Sequence, residues 1–256
     1  MIESLCIVGS GKMATAIIKG VSENYETEVA ARDEKRLNEL KDEFKGRITV
    51  KKLRNGFDIE GKNLILCVKP QALDKVALQL NGSANSLLSV MAGVSLEKLK
   101  YSIEARHTLR AMPNLAATYG KSMTTLCGDE SFKDEALRIC ATFGTALWLN
   151  SEKEIDIATA LAGSGPAYLA LVAEALSDAA VKEGLKRDDA QILSRGLFEG
   201  FAELLKDNHP ALLKDSVMSP GGTTAAGVGA LEERSVRDAF IKAIHYAYER
   251  AKEIKG

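Results

Sequence analysis

Histidine and aromatic residues are scarce in this chain, with three histidines and a 5% aromatic share among 256 residues. So few imidazoles remove the commonest proton donor from any reaction the chain performs. His107 lies in a strand-like stretch, His209 precedes a proline and His245 falls in a terminal helical pattern. Each reads as structural, and no metal site is expected. Cysteine is sparse too: Cys6, Cys67, Cys127 and Cys140 are scattered with no C-x-x-C spacing. Cys6 and Cys67 sit in apolar strand-like runs, where a thiol behaves as a small hydrophobe. Reduced structural thiols, and with them a cytoplasmic location, are the expectation. An excess of one charge is also missing, since the formal net charge is −1. That gives no support for binding nucleic acid or an anionic membrane surface. No apolar run is expected to reach the roughly 18 residues of a membrane helix. Met1-Ile2-Glu3-Ser4 lacks the basic region of a signal peptide.

The rest is an ordinary globular composition, 46% hydrophobic and 27% charged, at a length comfortable for two domains. Short apolar runs at 5–8, 28–31, 63–68, 87–91, 108–112, 123–126 and 145–149 read as strands. Helical patterns at 12–23, 34–44 and 134–143, and one opening at Pro70-Gln71, alternate with them. That alternation predicts right-handed crossovers and a mainly parallel sheet. Beyond Asn150 no strand pattern occurs. Alanine, leucine and glutamate dominate there, with helical spacing at 166–183, 188–207 and 236–255. Ala167, Leu171, Ala175, Leu176 and Ala179 form small-residue faces that allow close helix approach. The expected fold is α/β, a Rossmann-type dinucleotide-binding domain over 1–150 followed by an all-helical domain over 151–256.

Gly9-Ser10-Gly11-Lys12-Met13-Ala14 fits G-x-G-x-x-[GA] between the first strand and a helix. Gly9 permits a tight turn, Gly11 lets the backbone approach a pyrophosphate, and Ala14 lets the helix pack closely on the sheet. Lys12 opposes the helix dipole but reaches toward phosphate oxygens. The second strand ends Ala30-Ala31-Arg32, with Arg36 a helical turn later. An arginine there suits the 2′-phosphate of NADPH, through a bidentate charged contact. Asp33 keeps NADH open, because its carboxylate suits a ribose hydroxyl.

Near the far end, Ser219-Pro220-Gly221-Gly222-Thr223-Thr224 forms a turn rich in free backbone N–H groups. Leading into a helix near Ala225 with Thr223 or Thr224 as cap, such a turn suits a small carboxylate. Gly163-Ser164-Gly165-Pro166 lacks the preceding strand of a nucleophile elbow. Its glycines are expected to break the chain, with Pro166 opening a long helix.

Six blocks in order resemble the pyrroline-5-carboxylate reductase family. They are the fingerprint, Val68-Lys69-Pro70, Met91-Ala92-Gly93, Arg110-Ala111-Met112-Pro113-Asn114, the run from Thr159 to Tyr168, and Val217-Met218-Ser219-Pro220-Gly221-Gly222-Thr223-Thr224. The resemblance implies a Rossmann domain before a helical dimerisation domain, giving a homodimer or a higher assembly of dimers. It implies that Val68, Lys69, Pro70, Met91, Ala92, Gly93 and Asn114 line the nicotinamide end of the cofactor. Asn55 resembles a residue near the adenosine ribose, and Ser216 one near the nicotinamide half. The Thr223 and Thr224 amides, behind Gly221 and Gly222, would bind the carboxylate of a cyclic imino acid. Thr224 would place its hydroxyl near the imine nitrogen, and Glu152 resembles a further substrate contact. Lys12 departs from the uncharged residue that many members carry.

The implied reaction is NADPH-dependent reduction of 1-pyrroline-5-carboxylate to L-proline. A protonated imine is already an electrophile, which fits a chain poor in acids and bases. Two alternatives stand beside it. One is reduction of another cyclic imino acid such as piperideine carboxylate; the other is a non-catalytic, NADP-sensing regulatory protein on the same fold.

Overall fold

The computed structural model describes residues 3–253, so the predicted end of the last helix at Lys255 lies outside it. The described residues up to Ser164, with those from Tyr246 onward, form one compact unit, and Gly165–His245 form a second.

The first unit runs β1 (Ser4–Val8), α1 (Lys12–Val21), β2 (Glu26–Ala31), α2 (Glu34–Phe44), β3 (Ile48–Lys52), β4 (Phe57–Asp58), β5 (Asn63–Leu66) and α3 (Leu73–Ala77). It continues with β6 (Leu80–Asn81), β7 (Ala84–Ser89), α4 (Leu96–Ser102), β8 (Ala105–Met112), β9 (Ser122–Gly128), α5 (Lys133–Ala141), β10 (Gly144–Trp148) and α6 (Glu152–Ala158). Eight strands form one sheet in the order β10-β9-β8-β7-β5-β1-β2-β3, while β4 and β6 pair separately. Every pairing is parallel except β8 with β9.

Burial explains the pattern. Strand β1 is covered on both faces, Ile7 packing into one core cluster and Cys6 and Val8 into another. A strand enclosed on two sides reads as a continuous apolar run rather than an alternating one. Helix α1 turns Ala14, Ile17, Ile18 and Val21 inward at helical spacing. In α2 the charged residues face out and Leu37, Leu40 and Phe44 face in. Its first turn is capped by the Asp33 carboxylate, which accepts from the Arg36 amide at 3.1 Å.

Three differences from the sequence expectation have local causes. Strand β3 (ITVKK) was hidden by its lysines, because only Ile48 is buried and the edge strand faces solvent. Helix α4, also unforeseen, is short and begins at Ser95, whose hydroxyl accepts from the Lys98 amide at 3.1 Å. The predicted helix at Pro70 opens as a 3-10 turn, Pro70–Ala72, before α3.

The second unit contains α7 (Gly165–Lys182), α8 (Arg187–Asp207), α9 (Pro210–Ser216), α10 (Thr223–Glu233) and the start of α11 (Val236–Glu253). Ser194 on α8 and Ser177 on α7 both donate to the Ala173 carbonyl, at 3.2 and 2.9 Å. The glycines around Ser164 do not interrupt helical structure as expected. Instead Thr159–Gly163 widens into a π turn directly after α6, and α7 opens at Gly165, one residue before Pro166. Among the described residues one helical stretch, Glu152–Lys182, is long and apolar enough to cross a membrane by length and composition, with an 18-residue window of mean hydropathy 1.4. This corrects the expectation that no segment qualifies. A single such helix is weak evidence for a span, since alanine-rich packing helices pass the same test.

Candidate active site

The fingerprint turn sits at the carboxyl end of β1, where open α/β sheets receive ligands. Gly9 has φ +133°, and a Cβ there would run into the Cys67 carbonyl, so the tight turn requires glycine. Gly11 precedes α1 and supplies no side-chain cap, while a Cβ on it would meet nothing within 4 Å. The start of α1 thus has room beside Gly11 and no side-chain cap on its first-turn amides. Ser10 is half-buried and Lys12 exposed; Met13 packs against the core, and Ala14 is fully buried under the helix. A glycine turn, an uncapped helix start and open space beside Gly11 fit the pyrophosphate of a dinucleotide.

The next strand ends place further candidates. Arg32 is exposed at the end of β2. Asp33, the competing ribose reader, spends one carboxylate oxygen capping α2. Arg36 has a role that spacing alone missed. Its Nε donates to the Ser10 carbonyl at 3.2 Å and its Nη2 to Thr15 Oγ1 at 2.9 Å, bracing the fingerprint turn from behind. Asn55 lies in an exposed turn after β3. Val68, Lys69 and Pro70 follow β5; Ala92 and Gly93 follow β7.

Several expected contacts have other employment. The Met91 side chain is buried in the core, so only its backbone can line a site. Asn114, just beyond β8, donates through Nδ2 to the Ala162 carbonyl at 3.0 Å and accepts at Oδ1 from the Ala116 amide at 3.1 Å. Glu152, expected to touch substrate, accepts at Oε1 from Arg110 Nη1 at 2.6 Å and from the Leu96 amide at 2.9 Å. The physical reason is Arg110 itself, a buried cation that draws a carboxylate to it.

In the second unit, Gly221 has φ +71° and turns the chain so that the Gly222 amide donates to the Ser219 carbonyl at 3.0 Å. Helix α10 begins at Thr223 rather than near Ala225, and its cap is Gly222, with no side-chain hydrogen bond. Neither Thr223 nor Thr224 is the cap. Both stand in the first turn, their amides uncapped by any side chain. Ser216, exposed at the end of α9, donates to the Leu213 carbonyl at 2.8 Å.

Cys6 and Cys67 are not placed as reactive groups. Burial pushes Cys67 up to about 12. Burial, then the negative charge of Glu28, pushes Cys6 up to about 12 as well. None of the four cysteines forms a disulfide among the described residues. A cavity lined by Cys6, Glu28, Lys51 and Lys62 lies toward the amino ends of β1, β2 and β3. That is the wrong end of a parallel sheet for a cofactor.

Known proteins resemble the whole chain. Residues 152–254 match the family model described as pyrroline-5-carboxylate reductase dimerisation. Residues 4–93 match the one described as NADP oxidoreductase coenzyme F420-dependent. A pyrroline-5-carboxylate reductase of Helicobacter pylori is 34% identical over 97% of this chain and 98% of its own. The chain belongs to the pyrroline-5-carboxylate reductase family. Among solved structures of the family, the Coxiella burnetii reductase is 27% identical with a TM-score of 0.85, each chain covered completely. A Plasmodium falciparum pyrroline carboxylate reductase, solved with NADP bound, is 25% identical with a TM-score of 0.78 over 100% of both chains.

Proposed function

We propose that this chain reduces 1-pyrroline-5-carboxylate to L-proline with NADPH. The observation that carries the reading is a repeated device in a chain of this family. Gly9–Gly11 and Gly221–Gly222 each lead into a helix whose first amides have no side-chain cap. The first suits a pyrophosphate, the second a single small carboxylate.

Residues 1–150 are assigned to the cofactor. The α1 amides and Ser10 hold the pyrophosphate, Lys12 adds charge at its edge, and Arg32 takes the 2′-phosphate. Asn55 is assigned to the adenosine ribose. Lys69, Pro70, Ala92 and Gly93 are assigned to the nicotinamide end, with Val68 and Met91 behind them. Asn114 shapes that end by holding the chain around it, and Ser216 is assigned to the nicotinamide half on the family resemblance alone. Residues 151–256 are assigned to substrate and to pairing with a second copy.

Bound NADPH supplies the hydride that the imine carbon accepts. The chain's own task is then narrow. The Thr223 and Thr224 amides hold the substrate carboxylate, and the Thr224 hydroxyl hydrogen-bonds the ring nitrogen. Orientation and exclusion of water do most of the work, because the protonated C=N bond needs no further acid. This explains why no histidine is required. Glu152 is reassigned from substrate contact to structural anchor. Exposed leucines on the helical unit favour a homo-oligomer, and cysteines outside any disulfide favour the cytoplasm.

The test is NADPH oxidation by the purified chain with pyrroline-5-carboxylate and, separately, with piperideine carboxylate. A higher kcat/KM for the five-membered ring is expected. Preference for the six-membered ring would replace the substrate, and NADPH binding without turnover on either would favour a regulatory protein.

A further inference from the structure

Arg110 lies near the carboxyl end of β8 and is 3% exposed. A guanidinium cannot shed its charge, so its burial must be compensated. Two carboxylates of α6, one helical turn apart, do this. Glu152 Oε1 accepts from Nη1 at 2.6 Å and Asp156 Oδ1 from Nη2 at 3.3 Å. The same Glu152 oxygen accepts from the amide of Leu96, the first residue of α4. Three segments are thereby joined: the end of β8, the start of α4 shortly after Ala92-Gly93, and α6.

Helix α6 runs directly into the π turn Thr159–Gly163. That turn is tied to β8 a second time, since Asn114, two residues past the strand, donates to the Ala162 carbonyl. A Cβ on Gly163 would come within 3.2 Å of the Met112 terminal methyl, so the turn also lies close against the last residue of β8. Single π turns are rare and recur at functional sites.

Stability is a poor reason for this cluster. Desolvation of a buried ion pair commonly offsets its attraction, and well-packed apolar residues serve as well or better. The Arg110 Nε is buried without a hydrogen-bond partner among the described residues, which adds to the cost. What such a cluster does supply is a fixed arrangement, because each charge has one low-energy place.

We propose that Arg110, acting with Glu152 and Asp156, is a positioning residue. It locks the π turn and the Ala92–Gly93 side of α4 in register with Asn114, at the strand ends assigned to the nicotinamide. The reaction it serves is the one read above, and the geometry it sets is independent of that reading.

The test replaces the buried pair by apolar residues, Arg110→Met with Asp156→Leu. Expected are a Tm no lower than wild type, unchanged NADPH affinity and a kcat about 100-fold lower, the scale of a small misplacement of reacting groups. Arg110→Lys, which keeps the charge and loses the fork, is expected between the two. Glu152→Gln, which keeps an acceptor for Arg110 and loses the charge, is expected to lower kcat about tenfold at unchanged KM. A direct substrate contact at Glu152 would raise KM instead. Amide hydrogen exchange over residues 158–164 is expected to quicken in the double variant while β1 and β5 stay protected, a readout needing no turnover. A folded variant with wild-type kcat, or unchanged exchange over 158–164, would overturn the proposal. An inactive wild type would instead overturn the assigned reaction and leave the exchange result to decide.

Discussion

Ile7, Ile17, Val29 and Leu40 in the sheet unit are sealed from solvent, whereas Leu171, Ile192, Leu193 and Leu197 in the helical unit stand more than half exposed. The sheet unit has apolar layers on both faces and is closed by its own helices. The helical unit buries small groups, Ala190, Ser177 and Ser194, and presents its leucines outward. Apolar faces of that extent belong against another surface. One unit is closed by its own folding, and the other leaves apolar faces open.

The glycine turns repeat the contrast. At Gly9 the turn is wedged against the Cys67 carbonyl, and Arg36 braces it through Ser10 and Thr15. Helix α1 behind it is anchored by five buried residues, which keeps the amides fixed for a large, highly charged ligand. The turn at Gly221–Gly222 opens α10, which buries no residue within the unit. A single carboxylate needs fewer aligned donors. Under the proposed assignments the same backbone device would serve two ligand sizes with two degrees of rigidity.

Breaking the rigid turn is expected to have the largest effect. Gly9→Val forces a β-branched residue to positive φ against a carbonyl, at a cost of roughly 1–3 kcal/mol in strain alone. NADPH binding, read by fluorescence titration, is expected to vanish, and Tm to fall by several degrees. Next comes the exposed face. Leu197→Glu is expected to weaken self-association by about 100-fold or more if a second copy covers it, a charge left unpaired in an apolar contact. Native mass in solution checks this, and an unchanged oligomer would free that face from the interface. Arg32→Ala is expected to weaken NADPH by about 10- to 100-fold and NADH far less, the scale of a lost charged hydrogen bond. Equal losses would contradict the 2′-phosphate assignment.

The smallest effect belongs to Glu28. Burial alone would raise its carboxyl, but Lys51 and Lys62, at 2.5 and 2.6 Å, outweigh burial and hold it below the ordinary value of 4.5. A depressed folded value contributes stability above the unfolded value and loses it as pH falls through the folded one. Glu28→Gln should therefore lower Tm slightly at neutral pH and flatten its decline in acid. A decline as steep as wild type would locate the acid sensitivity elsewhere.

Most of the sheet unit was legible because its signals are local. Buried parallel strands read as apolar runs, Glu34–Phe44 shows its inward stripe, and the fingerprint lies where β1 meets α1. What escaped depends on partners distant in sequence. Strand β3 is visible only as an edge beside β2; α4 is the exception, a short helix whose signal, the Ser95 cap, is local. Arg110, Glu152 and Asp156 are ordinary charges until the fold buries them together. Arg36 read as a neighbour of the phosphate site, yet its guanidinium reaches back across 26 residues to Ser10. The start of α10 was misplaced because Gly222, having no side chain, gives no capping signal, while two threonines imitate one.

The division between a cofactor unit and a substrate turn is tested most directly by Thr224→Ala, assayed for NADPH affinity and for kcat/KM with pyrroline-5-carboxylate. The division predicts unchanged NADPH affinity and a kcat/KM lower by about one to three orders of magnitude, as for loss of an active-site hydrogen-bonding group. Wild-type turnover in this variant, or a matching loss of NADPH affinity, would contradict it.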